Sequence, residues 1–404
     1  MKAAIMAGGK GTRLRPLTSN QPKPMIPIAN VPCMEHVVNL LKRHGFEYML
    51  ATLQFMPEVV RDYFGDGSYW GVRIEYSIEE DPLGTAGSVK FAEDRLTERF
   101  IIVSGDVLTD ADLGKAVSFH EERGAEITLI LKEVEDPSEF GIVVVDDEDG
   151  RVKRFLEKPE EGEVFSYTAN TGIYVVEPDV LKHIPEGQEY DFSEDLFPKF
   201  LEEGHPMYGY VMDGYWQDIG NIGQYMAAQR AVLDDKVDGV RPPGEQLREG
   251  LYIGSRVEAK EEALEGPAVL GDSVRIAPGA RVGPHSVIAA NVSIGSGASV
   301  VRSTVAEGSS IGEGAELDGS LVGRSCRVGP GVRLLEGSAL GDEVNVGEDA
   351  TIEPGVSVYP GKHIEEKADV AEDLTDESGV SVVGRARIFL NSQSSWTGRV
   401  RPQG

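Results

Sequence analysis

The sequence predicts an α/β fold in two parts, a doubly wound, mostly parallel sheet followed by a parallel β-helix of hexapeptide repeats. Three observations predict it. Strand and helix patterns alternate through residues 1–235. Aliphatic residues recur every sixth position after residue 250. Between these regimes lies a stretch rich in Pro, Gly and charge, KVDGVRPPGEQLREG. The expected division is therefore a first domain at 1–235, a linker at 236–250, a β-helix at 251–363, and a polar tail or lead-in to a further domain at 364–404.

Taken in order, AAIMA reads as a short buried strand, MEHVVNLLKRHG as a helix ending at Gly45, YMLATL as a strand and PEVVRDYFG as a short helix. GVRIEYS and RFIIVSGD are strands flanking a helical AGSVKFAEDRL. AEITLIL is a strand, and FGIVVVDDEDGRVKRFLEKP a hairpin turning near Asp149-Gly150. NTGIYVV and MYGYVMDGYWQDIG follow, then a helix NIGQYMAAQRAVL. The six-residue period runs through Leu270, Ile276, Val282, Ile288, Ile294 and Val300. It slips one residue to Val305, Ile311 and Leu317, and again to Val322, Val328, Leu334, Leu340, Val346, Ile352 and Val358. Gly often follows the aliphatic residue, as at Gly271, Gly295 and Gly312, and is expected to permit the corner turn.

Composition narrows the partners. The net charge of -29 over 404 residues argues against nucleic acid and anionic membrane. No run approaches the roughly 20 apolar residues of a membrane span, and the N-terminus carries no signal-peptide pattern. Cys33 and Cys326 lie far apart and read as free thiols, so a reducing cytoplasm is the expected location.

The stretch MKAAIMAGGKGTRLRPLTSNQPKPMIPIAN places Gly8, Gly9 and Gly11 beside Arg13, Arg15 and Lys23, straight after the first strand. Glycine lets backbone N–H groups come close to a ligand, and the cations suit a polyphosphate. It is not a Walker A loop, because no G-x-x-x-x-G-K-[ST] can be laid on it, nor the dinucleotide fingerprint, because Leu14 stands where a third glycine belongs.

Six motifs in fixed order, AGGKGTRLRPLT, PKPMIPI, DPLGTAGS, SGDVL, EKP and YWQDIG, resemble the sugar-1-phosphate nucleotidyltransferases that carry a C-terminal left-handed β-helix. Within that family they most resemble the mannose-1-phosphate guanylyltransferases. The resemblance implies a Rossmann-like catalytic sheet and transfer of a nucleotidyl group from a nucleoside triphosphate to a sugar 1-phosphate, with Mg²⁺. The attacking phosphate oxygen is already anionic, so alignment and charge neutralisation suffice without a general base. By the same resemblance, Arg13 and the backbone of Ala7, Gly8, Gly9, Gly11 and Thr12 hold the triphosphate, and Lys23 reaches the α-phosphate. Asp106 and Asp218 are the metal ligands; Asp110 and Asp112 are taken as caps of the following helix. Gly84 and Thr85 pack against base and ribose. Glu157, Lys158, Asn170, Gly172 and Gly141 form the sugar-phosphate pocket, and Trp216 flanks the metal or belongs to the core.

Uridylyl and thymidylyl members resemble one another in having Gln five residues before the first glycine of GTAGS. Here that position is Glu79. A carboxylate offers two acceptors, which suit guanine N1–H and N2–H₂. The leading expectation is GTP plus mannose 1-phosphate. The alternatives are another base or sugar, such as glucose 1-phosphate with dTTP, UTP or ATP, and a non-catalytic regulatory homologue. His285, in VGPHSV, leaves acyl transfer by the β-helix as a minor alternative to a stacking and assembly role. Faces carrying exposed Val and Leu predict a homo-oligomer.

Overall fold

The computed structural model describes residues 1–160 and 162–375. The expected tail from 376 onward, with its ARIFL patch, lies outside the described residues.

The first part is a nine-stranded mixed sheet. Its main path runs Val152–Leu156, Ile142–Val145, Thr168–Val176, Phe100–Ser104, Lys2–Met6, Tyr48–Leu53, Arg73–Ile78. Ile127–Glu133 also pairs with Thr168–Val176, and Met207–Val211 pairs with Ile127–Glu133. Only Thr168–Val176 and Val152–Leu156 run against the common direction, so the sheet is mostly parallel.

Alternation within the strands divides the core. Ala3 and Ile5 face one side, with Val37, Val38 and Leu41 of α1 (Cys33–Arg43) and Val60 and Phe64 of α2 (Pro57–Phe64). Ala4, Leu50 and Ile102 face the other, against Ala86 and Val89 of α3 (Gly84–Lys90) and Phe197 and Phe200 of the later helix Phe197–Glu203. The helix Leu113–Arg123, here α4, is capped by Asp112, whose Oδ1 accepts from Lys115 N–H (3.0 Å). Asp110 caps no helix: its oxygens accept from the N–H groups of Tyr215 (2.7 Å) and Asp238 (2.9 Å), tying two loops together. Phe197–Glu203, α5, was not anticipated, although Asp191 accepts from the N–H groups of Ser193 and Glu194 just before it. The last helix of this part, α6, is Ile222–Leu233, capped by Asn221 and not by Asp218.

The second part is a prism of strands in three sheets of eight, six and six, stacked parallel except for the first strand of the eight, the arrangement of a left-handed β-helix. Every periodic aliphatic residue from Leu270 to Val358 is buried inside it. The coils run past residue 363: Ile364 and Val370 keep the period, Asp369–Val370 is still a strand, and Leu374 bridges back to Val358. The acidic residues between them sit outside and disguise it. On the entry side, Glu245–Arg248, within the expected linker, pairs antiparallel with Leu251–Ile253 and closes the first edge.

Except at Gly283, which itself takes φ +108°, the glycines that follow the aliphatic residues have a different cause from the one expected. A Cβ on Gly271 would stand 2.6 Å from Ala290 N, and one on Gly312 2.5 Å from Pro330 N, so the next coil's backbone leaves no room. The left-handed corner lies two residues later, at Gly279, Gly297, Gly314 and Gly331 and also at non-glycine residues such as Asn291 and Asp349.

One outward prism face, carrying Val269, Val287, Leu321 and Ala339, packs against Ala228 and Val232 of α6 and Ile26 and Ile28. The apolar faces on which the homo-oligomer expectation rests are thus covered on this side by the chain itself. His285 serves the same junction, with Nε2 2.6 Å from Asp234 Oδ1 at the end of α6. Both cysteines are buried and free. Among the described residues no helix is long and apolar enough to cross a membrane.

Candidate active site

Met6 and Ser104 are paired in the sheet, so the glycine loop and Gly105-Asp106 leave it side by side at the carboxyl ends of parallel strands. Gly11 takes a φ of +60°, and a Cβ there would lie 2.9 Å from Lys23 Cβ. The loop therefore lies directly on the lysine. Thr18 Oγ1 donates to Gly11 O (2.7 Å), and the buried Leu14 anchors the turn Thr12–Leu14. Gly9, Thr12 and Arg13 are exposed at the mouth of the loop. Ala7 is built into the sheet instead, its N–H donating to Thr52 O (3.0 Å).

Lys23, Asp106 and Asp218 form a buried cluster, with side chains 12%, 18% and 26% exposed. The Lys23 ammonium pairs closely with Asp106 Oδ2 and lies 3.7 Å from Asp218 Oδ1. Ser104 Oγ donates to the other oxygen of Asp106. Asp218 comes from the strand Trp216–Asp218, which pairs with Val107–Thr109, so this small ladder brings the two carboxylates together. Burial acts to lower the Lys23 pKa, but Asp106 and Asp218 outweigh it and hold it raised. Burial would raise Asp106, yet Lys23 and Ser104 keep it below the usual carboxylate range. Asp218 is pushed up to about 6 by burial, against the pull of Lys23 and with the Asp106 charge adding to the rise. Two carboxylates face one ammonium, which leaves surplus negative charge in a largely buried site. Clustered carboxylate oxygens with that surplus fit a hard divalent cation such as Mg²⁺.

Arg13 is more exposed, 3.7 Å from Glu139 Oε2, and its Nη2 lies near Gly220 beside Asp218. Glu139 also accepts from Gln224 Nε2 (3.2 Å), and Gln224 Oε1 accepts from Gly220 N–H (2.9 Å). Sequence reasoning missed Glu139 and Gln224, which stand in no motif. It also passed over Ser104, which the SGD motif contained.

Glu79 follows the strand Arg73–Ile78, its N–H bound to Leu53 O. Its side chain lies against the loop: a Cβ on Gly8 would stand 3.3 Å from Glu79 Oε1. The other oxygen, Oε2, is buried without a hydrogen-bond partner. Burial, opposed by the Leu83 N–H, raises this carboxyl to about 7. A buried acceptor left unpaired is costly.

Gly84, at φ +71°, abuts Tyr190 O, and the Thr85 hydroxyl is bound to Asp191 Oδ2 (2.7 Å) and Phe192 N–H (2.9 Å). Thr85 thus holds α3 against the 190–192 segment. Further along the cleft, a Cβ on Gly141 would meet Glu157 Oε2 at 2.6 Å, and Lys158 Nζ lies 3.8 Å from Glu157 Oε1. Burial raises Glu157, with Lys158 acting the other way. Asn170 donates to Tyr174 Oη (3.0 Å) and accepts from Gly172 N–H (3.2 Å), fixing a bulge at which Gly172 takes φ +76°. Trp216 is half-buried and donates to Thr171 O (3.1 Å).

Comparison with known proteins places this geometry. Residues 2–235 match the nucleotidyl transferase family model, and residues 264–373 match the GMPPB C-terminal domain. The chain is 42% identical to a UTP--glucose-1-phosphate uridylyltransferase of Synechocystis, over 76% of this chain and 82% of that protein. It is 37% identical to a mannose-1-phosphate guanylyltransferase of Mycobacterium tuberculosis, over 74% and 83%. Among solved structures, a glucose-1-phosphate thymidylyltransferase of Bacillus anthracis, so described provisionally, matches with a TM-score of 0.52 at 26% identity, covering 57% of this chain and 94% of that one. The chain belongs to the nucleotidyl transferase family, as a sugar-1-phosphate nucleotidyltransferase whose catalytic sheet is followed by a β-helix.

Proposed function

We propose that the chain joins GTP to mannose 1-phosphate, giving GDP-mannose and pyrophosphate. A sugar-phosphate oxygen attacks the α-phosphorus in line, forming the new P–O bond as the bond to the β-phosphate oxygen breaks. The backbone at Gly8, Gly9, Gly11 and Thr12, with Arg13, holds the β- and γ-phosphates. Lys23 contacts the α-phosphate and the incoming phosphate. Asp106 and Asp218 would hold Mg²⁺, which when bound neutralises charge on the phosphates. Glu157 accepts from sugar hydroxyls, Lys158 pairs with the sugar phosphate, and Gly141, Asn170 and Gly172 shape that pocket. Gly84 lies along the base and ribose.

The observation that carries the choice of base is the unpartnered Oε2 of Glu79, whose other oxygen, Oε1, lies against Gly8. Ionised, this carboxylate offers the paired acceptors that guanine N1–H and N2–H₂ require. The uridylyltransferase relative supports a second reading, UTP with glucose 1-phosphate. Protonated, Glu79 presents one donor and one acceptor, as an amide does, and that pattern fits uracil. The deciding experiment is pyrophosphate release from a matrix of nucleoside triphosphates and sugar 1-phosphates with Mg²⁺ above pH 7.5. GTP with mannose 1-phosphate is expected to lead, and a lead for UTP with glucose 1-phosphate would replace this reading by the second.

A further inference from the structure

Away from the cleft, two histidines and a glutamate converge where the end of α5 meets the turn Pro178–His183. Gly204 closes α5 at φ +74°, and His205 N–H donates back to Phe200 O (3.0 Å), so His205 stands at a fixed point just beyond the helix. The buried Phe200 ring stacks on His205 (centroids 4.3 Å apart, planes at 25°) and meets His183 edge-on at 5.1 Å. The two imidazole centroids are 4.7 Å apart. Phe200 thus fixes both rings.

His205 Nδ1 lies 2.9 Å from Glu126 Oε2, and its Nε2 lies 3.3 Å from Glu203 Oε2. If Nδ1–H donates to Glu126, the neutral ring turns the Nε2 lone pair toward the Glu203 carboxylate. Two lone pairs then face one another, which only a proton or a cation between them makes favourable. One donor atom from each of His183, Glu203 and His205 lies within 4.8 Å of the others.

We propose that His183, His205 and Glu203 bind one zinc-class divalent cation, with Glu126 orienting His205 from behind and water in the fourth position. Two imidazoles and a carboxylate are a donor set that zinc accepts. The 3.3 Å between Nε2 and Oε2 is the edge of a tetrahedron with bonds of about 2.0 Å. A carboxylate on the far nitrogen of a ligating histidine is the usual support for such a ligand. None of these four residues belongs to the nucleotide or sugar-phosphate set. The cation joins the 178–183 turn to the end of α5.

The test is calorimetric titration of the full chain with Zn²⁺, with millimolar Mg²⁺ present to satisfy the Asp106 and Asp218 carboxylates. One Zn²⁺ per chain is expected. Glu126→Gln should weaken it about 10–100-fold, and His183→Ala, His205→Ala and Glu203→Ala should weaken it further. Glu203 is exposed, so Glu203→Ala keeps the fold. In that variant, pyrophosphate release without Zn²⁺ should be unchanged, while the Zn²⁺-dependent rise in melting temperature seen in the parent should vanish. Equal Zn²⁺ uptake by the parent and Glu203→Ala, or none by either, overturns the proposal. The contacts would then belong to an imidazolium held between Glu126 and Glu203.

Discussion

The prism and the cleft bury opposite kinds of side chain. Inside the prism lie rows of Val, Ile and Leu, each coil repeating the last, and its backbone groups are satisfied coil to coil. The cleft buries a lysine, two aspartates and a glutamate with an unpaired oxygen. In the prism, every local choice favours the same stacked structure. In the cleft, desolvated charge is held in place by the sheet beneath it, a local cost of the kind found where a protein meets a ligand. Stability and catalysis therefore reside in different regions, and substitutions in the two should separate them.

The sharpest separation is Asp218→Asn. Turnover should fall about a hundredfold or more, measured by pyrophosphate release. The folded pKa of Asp218, about 6, lies above its ordinary value of 3.8. The folded state therefore binds that proton more tightly, and stability is lost as pH rises from about 4 to 6. Removing the charge should thus leave the melting temperature at pH 8 unchanged or higher. A variant that loses turnover by unfolding would break the comparison.

The reverse case is Leu334→Ala, at a fully buried prism position. It should cost about 2–5 kcal/mol in chemical denaturation and leave kcat within a factor of about two. A large loss of kcat in the folded variant would mean that the prism shapes the cleft.

A smaller effect tests why glycine recurs in the coils. Gly312→Ala pushes a Cβ onto the next coil and should destabilise by about 1–3 kcal/mol. Gly297 has φ +68° and open space around its Cβ position, so Gly297→Ala should cost only the backbone term, about 1 kcal/mol. Equal costs in unfolding would contradict the close-stacking account.

The two regions also differed in how far the sequence disclosed them. The prism was legible because burial there is a local rule: one residue in six points inward whatever the rest of the chain does. Its end was misplaced only because Glu365, Glu366 and Lys367 stand between Ile364 and Val370. The parallel strands and α1, α2 and α6 were legible from periodicity. The reversed strand Thr168–Val176 and the pairing of Trp216–Asp218 with Val107–Thr109 depend on long-range contacts that no window of sequence contains. The Lys23, Asp106 and Asp218 cluster came from motif resemblance. Glu139 did not, because its contacts with Arg13 and Gln224 exist only once separate loops are brought together.

The central claim is that Glu79 reads the base, and the ratio of kcat/KM for GTP over UTP as a function of pH tests it most directly. The Glu79 carboxyl titrates at about 7 because it is buried. Above that pH it is ionised and offers two acceptors; below it the proton replaces one of them. The account predicts a GTP-to-UTP ratio that climbs about tenfold between pH 6 and pH 8 in the parent, and a lower, pH-independent ratio in Glu79→Gln. A ratio that is flat across this range and unchanged by the substitution would contradict it.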